Sequence, residues 1–312
     1  MRRGCLALSV STDLQTWIVK DLFYAPGQYY THEVPDLFQM GQYWYLVFCE
    51  FTDATLTRYR MSPVQPGGEI PLDEAWQTPP VDSFDGRAFY AAKTASDGQH
   101  RYLFGWNPTR EHERDNGSWQ WGGNLVVHEL VQQADGNLGV HIPEKVAASF
   151  HQTLPVKFER GLGKWIFKND QIKVDRSGFG CASAGKLPKT CLGDLWLQYE
   201  SGVTGCGVML RTSQDFESGY YVRIEPQRQR LVFDSWPRPG DLPFMPGLEC
   251  PLITRIDEPI QITIYVDGSL CEIYVNQQVA LSARMYDQQE GEWGVFTTGG
   301  PAVFSRIQLR IP

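Results

Sequence analysis

Along the whole chain, apolar residues fall in short runs rather than at the 3.6-residue spacing of an amphipathic helix. Residues 43–49, 89–92, 101–106 and 124–130 are rich in aromatic and branched side chains, and each run is bounded by Gly, Pro, Asp or Asn. Runs of that kind read as strands. Residues 63–68 and 107–118, which are polar and rich in turn formers, read as loops. Short antiparallel strands at this spacing fit a propeller, a barrel or a sandwich.

The texture changes between about residues 145 and 160. His141-Ile142-Pro143 through Leu154-Pro155 reads as a connector, with a helical turn near residues 144–149. A second strand series follows at 195–199, 207–211, 220–224, 231–234, 260–266, 270–275, 279–283 and 293–296. Asp267-Gly268 between two of these marks a hairpin, because Asp-Gly supplies positive φ at little cost. Alternation in Ile262, Ile264 and Val266, and again in Leu270, Ile273 and Val275, predicts half-buried strands packed face to face. The pattern therefore predicts an all-β chain in two domains, 1–150 and 151–312, the second a β-sandwich.

Composition narrows the partners more than the fold. A length of 312 residues leaves room for two domains. A net charge of −8 argues against nucleic acid, whose binding needs a positive face, and suits a neutral ligand such as a sugar. No apolar run approaches the ~18 residues of a membrane-spanning helix. Ser9, Ser11, Thr12 and Asp13 interrupt any signal-peptide core behind Met1-Arg2-Arg3. Seven scattered cysteines, an odd number without a C-x-x-C pair, predict reduced thiols and no metal site. The expectation is a cytoplasmic protein with no cofactor and no membrane or nucleic-acid partner.

Glu33 and Asp36 stand in Thr31-His32-Glu33-Val34-Pro35-Asp36-Leu37-Phe38, just before an aromatic strand. Glycoside hydrolysis usually needs two carboxyl groups flanking the scissile bond. Residues three apart on an extended strand face opposite ways, so these two are not expected to be that pair. Such carboxylates more often cap a surface turn. Asp85 and Arg87 precede another aromatic strand and could grip sugar hydroxyls through charge-assisted hydrogen bonds. An Asp-Gly turn with a surface ion pair is the plainer reading. Trp106 ends an apolar strand and reads as core, whereas Trp119 and Trp121 sit among polar residues and could stack on sugar rings. His32 is the one histidine beside a candidate acid.

Taken in order, these segments resemble the family-32 glycoside hydrolases: invertases, levanases and inulinases. His32-Glu33-Val34-Pro35-Asp36-Leu37-Phe38 is similar to the family's Glu-Cys-Pro-Asp-Leu-Phe motif, with Val34 in place of the usual Cys. Phe84-Asp85-Gly86-Arg87 with Phe89-Tyr90-Ala91-Ala92-Lys93-Thr94 resembles the family's substrate-contacting Asp and its Phe-Tyr-Ala-x-Lys-Thr motif. Arg101 to Trp106 and Trp121-Gly122-Gly123 through Leu130 are similar to later propeller strands. Val266 to Asn276 and Trp293-Gly294-Val295-Phe296 are similar to the family's C-terminal sandwich.

The resemblance implies a five-bladed β-propeller followed by a β-sandwich, acting on β-fructofuranosides of the sucrose, levan or inulin type with retention. It makes Glu33 the general acid/base. The substrate-binding candidates are His32, Asp85, Arg87 and Trp121. Glu33 is expected in a cleft with Asp85 close by, the like charge and partial burial raising its pKa. The family's nucleophilic Asp, in an Asn-Asp-Pro motif, and its Arg-Asp-Pro motif occur nowhere in these residues. The expected propeller is thus partial, truncated at its N-terminal side, with self-association covering the open side. The alternative is a non-catalytic carbohydrate-binding or structural remnant.

Overall fold

The computed structural model describes all residues except 1–2, 52–54, 176–177, 239–246 and 257. Almost every element is a strand, and every strand pairing is antiparallel. The hairpin β1 (Leu6–Val10) and β2 (Ile18–Tyr24) comes first. Next is a three-stranded sheet, β3 (His32–Met40), β4 (Tyr43–Glu50) and β5 (Leu56–Pro63). A four-stranded sheet follows: β6 (Tyr90–Ser96), β7 (Arg101–Arg110), β8 (Trp119–Gln132) and β9 (Leu138–His141). One helical turn, α1 (Glu144–Ala148), stands where the sequence predicts one.

The rest of the chain forms two larger sheets. Its first strands are β10 (Gln152–Leu154), β11 (Arg160–Leu162), β12 (Lys164–Lys168), β13 (Gln171–Asp175) and β14 (Phe179–Lys186). Then come β15 (Thr190–Tyr199), β16 (Gly205–Thr212), β17 (Gly219–Glu225), β18 (Arg230–Trp236) and β19 (Leu248–Pro251). The last are β20 (Ile260–Asp267), β21 (Leu270–Val275), β22 (Val279–Arg284), β23 (Glu292–Thr298) and β24 (Ala302–Ile311). One sheet runs β12-β13-β24-β15-β20-β21-β22, with β10 on β24, and the other runs β11-β14-β23-β16-β17-β18-β19. Ile262, Ile264 and Val266 of the first sheet share one core with Val208, Val222 and Leu231 of the second. The two sheets therefore form a sandwich.

Strand β4 explains why its apolar run is unbroken. Leu46 and Phe48 pack toward the first hairpin with Phe23, Tyr24 and Trp76. Tyr45 and Val47, on the opposite face, pack toward the four-stranded sheet with Phe89, Leu103 and Val140. Both faces are covered, so neither can be polar. The three N-terminal sheets form an open series. Among the described residues no strand pairs the first hairpin with the four-stranded sheet, and no ring closes. Trp17, Ile18, Val19 and Leu22 of that hairpin are exposed.

The N-terminal sheets dock on the outer face of the sandwich. Leu192, Tyr274 and Ala280 of the sandwich join the cluster containing Phe84 and Phe89. Consequently β21 and β22 are buried on both faces. Ala280 N–H donates to the Phe84 carbonyl at 2.8 Å. Arg284 donates to the carbonyl of Asn107 at 2.7 Å and to Asn124 Oδ1 at 2.7 Å. Gly139 touches the β21–β22 turn so closely that a Cβ there would lie 2.0 Å from the Gln277 carbonyl oxygen. That position admits no side chain.

Several details depart from the sequence pattern. Strand β7 extends through Arg110 into residues 107–118, read as a loop, and a short 3-10 turn at Glu111–Glu113 follows it. Cys271, rather than Leu270, shares the inward face with Ile273 and Val275, while Leu270 packs on the N-terminal side. All seven cysteines are free thiols. Among the described residues no helix is long and apolar enough to cross a membrane.

Candidate functional site

Glu33 lies near the start of β3, paired with Cys49 of β4. The register then slips before Asp36, and Val34 takes φ +49, the mark of a bulge. An extra residue restores the parity of side-chain direction, so Glu33 and Asp36 both turn toward β6. Opposite faces, the expectation for an unbroken strand, do not occur. Tyr90 O–H donates to Glu33 Oε2 at 2.6 Å, and the Thr94 N–H donates to Asp36 Oδ2 at 2.7 Å. Between them Lys93 Nζ donates to the Pro35 carbonyl at 2.6 Å. Two motifs far apart in sequence are thus one clamped unit, with Tyr90, Lys93 and Thr94 holding the acid-bearing bulge in place.

Tyr90 is buried, and the burial, with its bond to Glu33, pushes the phenol pKa up. It acts here as a neutral donor. Only Oε2 of Glu33 is engaged, and among the described residues no hydrogen bond is made to Oε1. Beyond Tyr90, Trp121 is 78% exposed, its ring 6.2 Å from Tyr90 and 5.2 Å from Trp106. Trp106 is half-buried rather than core. Glu33, Tyr90, Trp121 and Trp106 therefore form a continuous wall with one free carboxyl oxygen and one open indole face.

The other candidates separate from this wall. His32 alternates with Glu33 and faces the first hairpin, between the rings of Tyr24, Tyr29 and Phe48 at 4.9–5.5 Å. Burial there, and Arg60 nearby, lower its pKa to about 4. Among the described residues neither ring nitrogen has a hydrogen-bond partner. His32 is a neutral packing residue in a different layer from the one Glu33 faces.

Asp85 is 1% exposed and turns to the sandwich. Its carboxylate accepts from the Gly86 N–H at 2.5 Å, the Ser282 N–H at 2.8 Å and the Ser282 hydroxyl at 2.6 Å, and it faces His128 Nε2 at 3.1 Å. The expected pairing of Asp85 with Glu33 is replaced by a tie between the two halves of the chain. Arg87 is exposed and points away from that burial. Trp119 packs under the Arg110 guanidinium, 4.0 Å from the ring centroid, and against the sandwich core. Its role is structural.

The sequence reading overlooked the part played by Tyr90. The alternation of Phe89 and Tyr90 shows that one of them faces away from the core cluster, and the bond to Glu33 decides which. Glu50 and Arg58 also escaped notice. Glu50 is fully buried and pairs with Arg58 Nη2 at 3.3 Å.

Metal-ligand-type atoms converge at one place among the described residues, where those of Asp85, His128 and Glu272 lie within 4.8 Å of one another. Each is already hydrogen-bonded at 2.5–3.1 Å, and nothing in those contacts calls for a cation. A cavity of about 280 Å³ opens elsewhere along the seam, lined by Glu129, His141, Asp194 and Tyr274. None of the wall residues around Glu33 lines it, so its size does not locate the chemistry.

This all-β architecture is the fold of the family-32 glycoside hydrolases. An exo-inulinase from Aspergillus awamori superposes with a TM-score of 0.68 at 16% identity, over 97% of this chain and 61% of that one. A sucrose-6-phosphate hydrolase from Lactobacillus gasseri gives 0.64 at 19%, over 98% and 60%. A β-fructofuranosidase from Bombyx mori gives 0.62 at 17%, over 97% and 59%. The chain thus spans about three fifths of the length of these solved relatives. No curated protein matches its sequence. Residues 129–310 match the family described as Glycosyl hydrolases family 32 C terminal, and the chain belongs to that family.

Proposed function

We propose that this chain is the larger part of a retaining glycoside hydrolase for β-fructofuranosides, with Glu33 as its general acid/base. The observation that carries this reading is the Tyr90 hydroxyl on Glu33 Oε2 at 2.6 Å, at the foot of the exposed Trp121 face. Tyr90 fixes one oxygen of the carboxyl group and leaves the other to carry a proton to the glycosidic oxygen. Trp121 offers the flat apolar face on which a sugar ring stacks. The fold relatives, an exo-inulinase, a sucrose-6-phosphate hydrolase and a β-fructofuranosidase, support the substrate class.

The retaining mechanism needs a second carboxylate about 5–5.5 Å from the first, as nucleophile. The described acids near Glu33 are committed elsewhere: Asp36 to the Thr94 N–H, Glu50 to Arg58 and Asp85 to the sandwich. We infer that the nucleophile is not among the described residues. The same reading divides the chain into a partial propeller domain, 1–150, and a sandwich domain, 151–312. The exposed apolar side chains of the first hairpin support self-association on that side.

Binding tests the site without requiring turnover. Titration of the chain with sucrose or a short fructan is expected to quench tryptophan fluorescence in a saturable way. Stacking that buries about 50 Å² of ring at ~25 cal/mol per Å² contributes roughly 1.3 kcal/mol. Trp121→Ala should therefore weaken binding about tenfold. Equal affinity in the variant would remove Trp121, and with it the wall, from the site.

A further inference from the structure

The seam between the N-terminal sheets and the sandwich buries two carboxyl groups whose hydrogens can be counted. Ser282 Oγ lies 2.6 Å from Asp85 Oδ2 and 2.5 Å from Glu272 Oε2. A serine hydroxyl has one hydrogen to donate. If both carboxyls were ionised, one of these contacts would press a hydroxyl lone pair against an anionic oxygen. Asp85 and Glu272 are 1% and 2% exposed, so water does not relieve the conflict. One of the two carboxyls must supply the second hydrogen itself.

The neighbours decide which. Asp85 accepts from two backbone N–H groups, of Gly86 and Ser282, in addition to the hydroxyl. Tyr274 O–H stands 3.0 Å from His128 Nδ1, so a neutral imidazole can accept there and donate from Nε2 to Asp85 at 3.1 Å. Donors in that number favour the ionised form of Asp85. Apart from the serine, Glu272 has the Asn107 amide on Oε1 at 3.3 Å. That amide is oriented by Arg284, which donates to Asn107 Oδ1 at 3.1 Å. The proton belongs on Glu272.

We propose that the seam is a proton-dependent latch. Neutral Glu272 donates to Ser282, Ser282 donates to ionised Asp85, and the chain of bonds loosens when Glu272 loses its proton. The latch ties β21 and β22 of the sandwich to the segment before β6, with His128 of β8 on the same carboxylate. Burial first, and the charge of Asp85 second, raise the Glu272 carboxyl well above its ordinary range. The other titratable or charged groups facing it are His128, Arg284, Tyr265, Tyr274 and Cys271, and Cys250 stands beside Asp85. Burial raises the pKa of both tyrosines and both thiols, so these stay neutral. A carboxyl whose folded pKa is raised contributes stability that is complete below its unfolded pKa. That contribution is lost as pH rises from the unfolded value through the raised one.

Two measurements test the latch on the whole 312-residue chain. Infrared spectra at neutral pH should contain the carbonyl band of a buried, protonated carboxylic acid, absent from Glu272→Gln. The glutamine amide can donate to Ser282 and accept from Asn107, so the variant imitates the protonated state at every pH. Its melting temperature should lie closest to that of the wild type near about pH 4, and the gap in its favour should widen by at least about 2 °C toward pH 9. A melting difference that does not change with pH would overturn the proposal. So would wild-type stabilisation by Zn²⁺ or Mn²⁺ that Glu272→Gln abolishes, since the cluster would then be a metal site. Should the variant not fold, the wild-type spectrum decides alone: a protonated-acid band at neutral pH that fades as pH rises supports the latch, and its absence refutes it.

Discussion

Residues 1–312 alone are expected to release no measurable fructose from sucrose, inulin or levan. On the proposed reading the wall around Glu33 supplies an acid and a stacking face, but among the described residues beside it no carboxylate is free to attack the anomeric carbon. General acid catalysis typically contributes about 10²–10⁴-fold. Enzymes typically reach about 10⁶–10¹⁷-fold, so the acid alone falls short by at least about 10²-fold. Fructose release by the purified chain, with Glu33→Gln as control, measures this directly. Robust turnover abolished by that substitution would mean that Asp36, Asp85 or another carboxylate within the chain serves as nucleophile. The seam bonds of Asp85 and the Thr94 bond of Asp36 would then have to break during the reaction.

Arg60→Ala is expected to cost about 3–5 kcal/mol, the range for removing one partner of a buried ion pair. Arg60 is fully buried between the first hairpin and the three-stranded sheet. It pairs with Asp82 at 2.6 Å and donates to the Tyr24 hydroxyl at 2.7 Å, the Tyr59 carbonyl at 2.7 Å and the Tyr29 hydroxyl at 3.1 Å. Alanine would leave Asp82 with Arg58 alone and open a cavity beside Phe48, whose ring centroid lies 5.3 Å from the guanidinium carbon. Because Tyr24 and Tyr29 belong to the hairpin side, the loss should appear first as faster amide exchange in β1 and β2. Urea denaturation and exchange together measure both effects. A change below about 1 kcal/mol would place Arg60 among ordinary surface pairs.

Twelve of the twenty-four strands among the described residues could be read from the chain, because their run lengths and boundaries are local properties. The Gly268 hairpin is the clearest case, with φ +56 at the glycine and Asp267 paired with Leu270 across the turn. The short β13 was missed although Ile172 and Val174 alternate with polar residues, since two apolar positions make a weak signal. In β14 the sequence Phe-Gly-Cys-Ala-Ser-Ala-Gly-Lys lacks branched side chains, and its burial comes from its neighbours in the sheet rather than from its own composition.

The site was legible only in part, for a related reason. The motif around Glu33 is local, but its bulge is not written in alternation, and parity arguments fail across one inserted residue. Asp85 reads locally as part of an Asp-Gly turn, and the family resemblance makes it a sugar contact. Its partner Ser282 lies 197 residues further along, a distance no spacing rule spans. Adjacency to Glu33 does not bring His32 to the same site, since neighbours on a strand face different layers.

A crystal structure of the chain soaked with fructose tests the central claim most directly. The account predicts a sugar ring stacked on Trp121 with one hydroxyl at hydrogen-bond distance from Glu33 Oε1, while Tyr90 keeps Oε2. Fructose bound only elsewhere, or a Glu33 face left empty at saturating sugar, would contradict it.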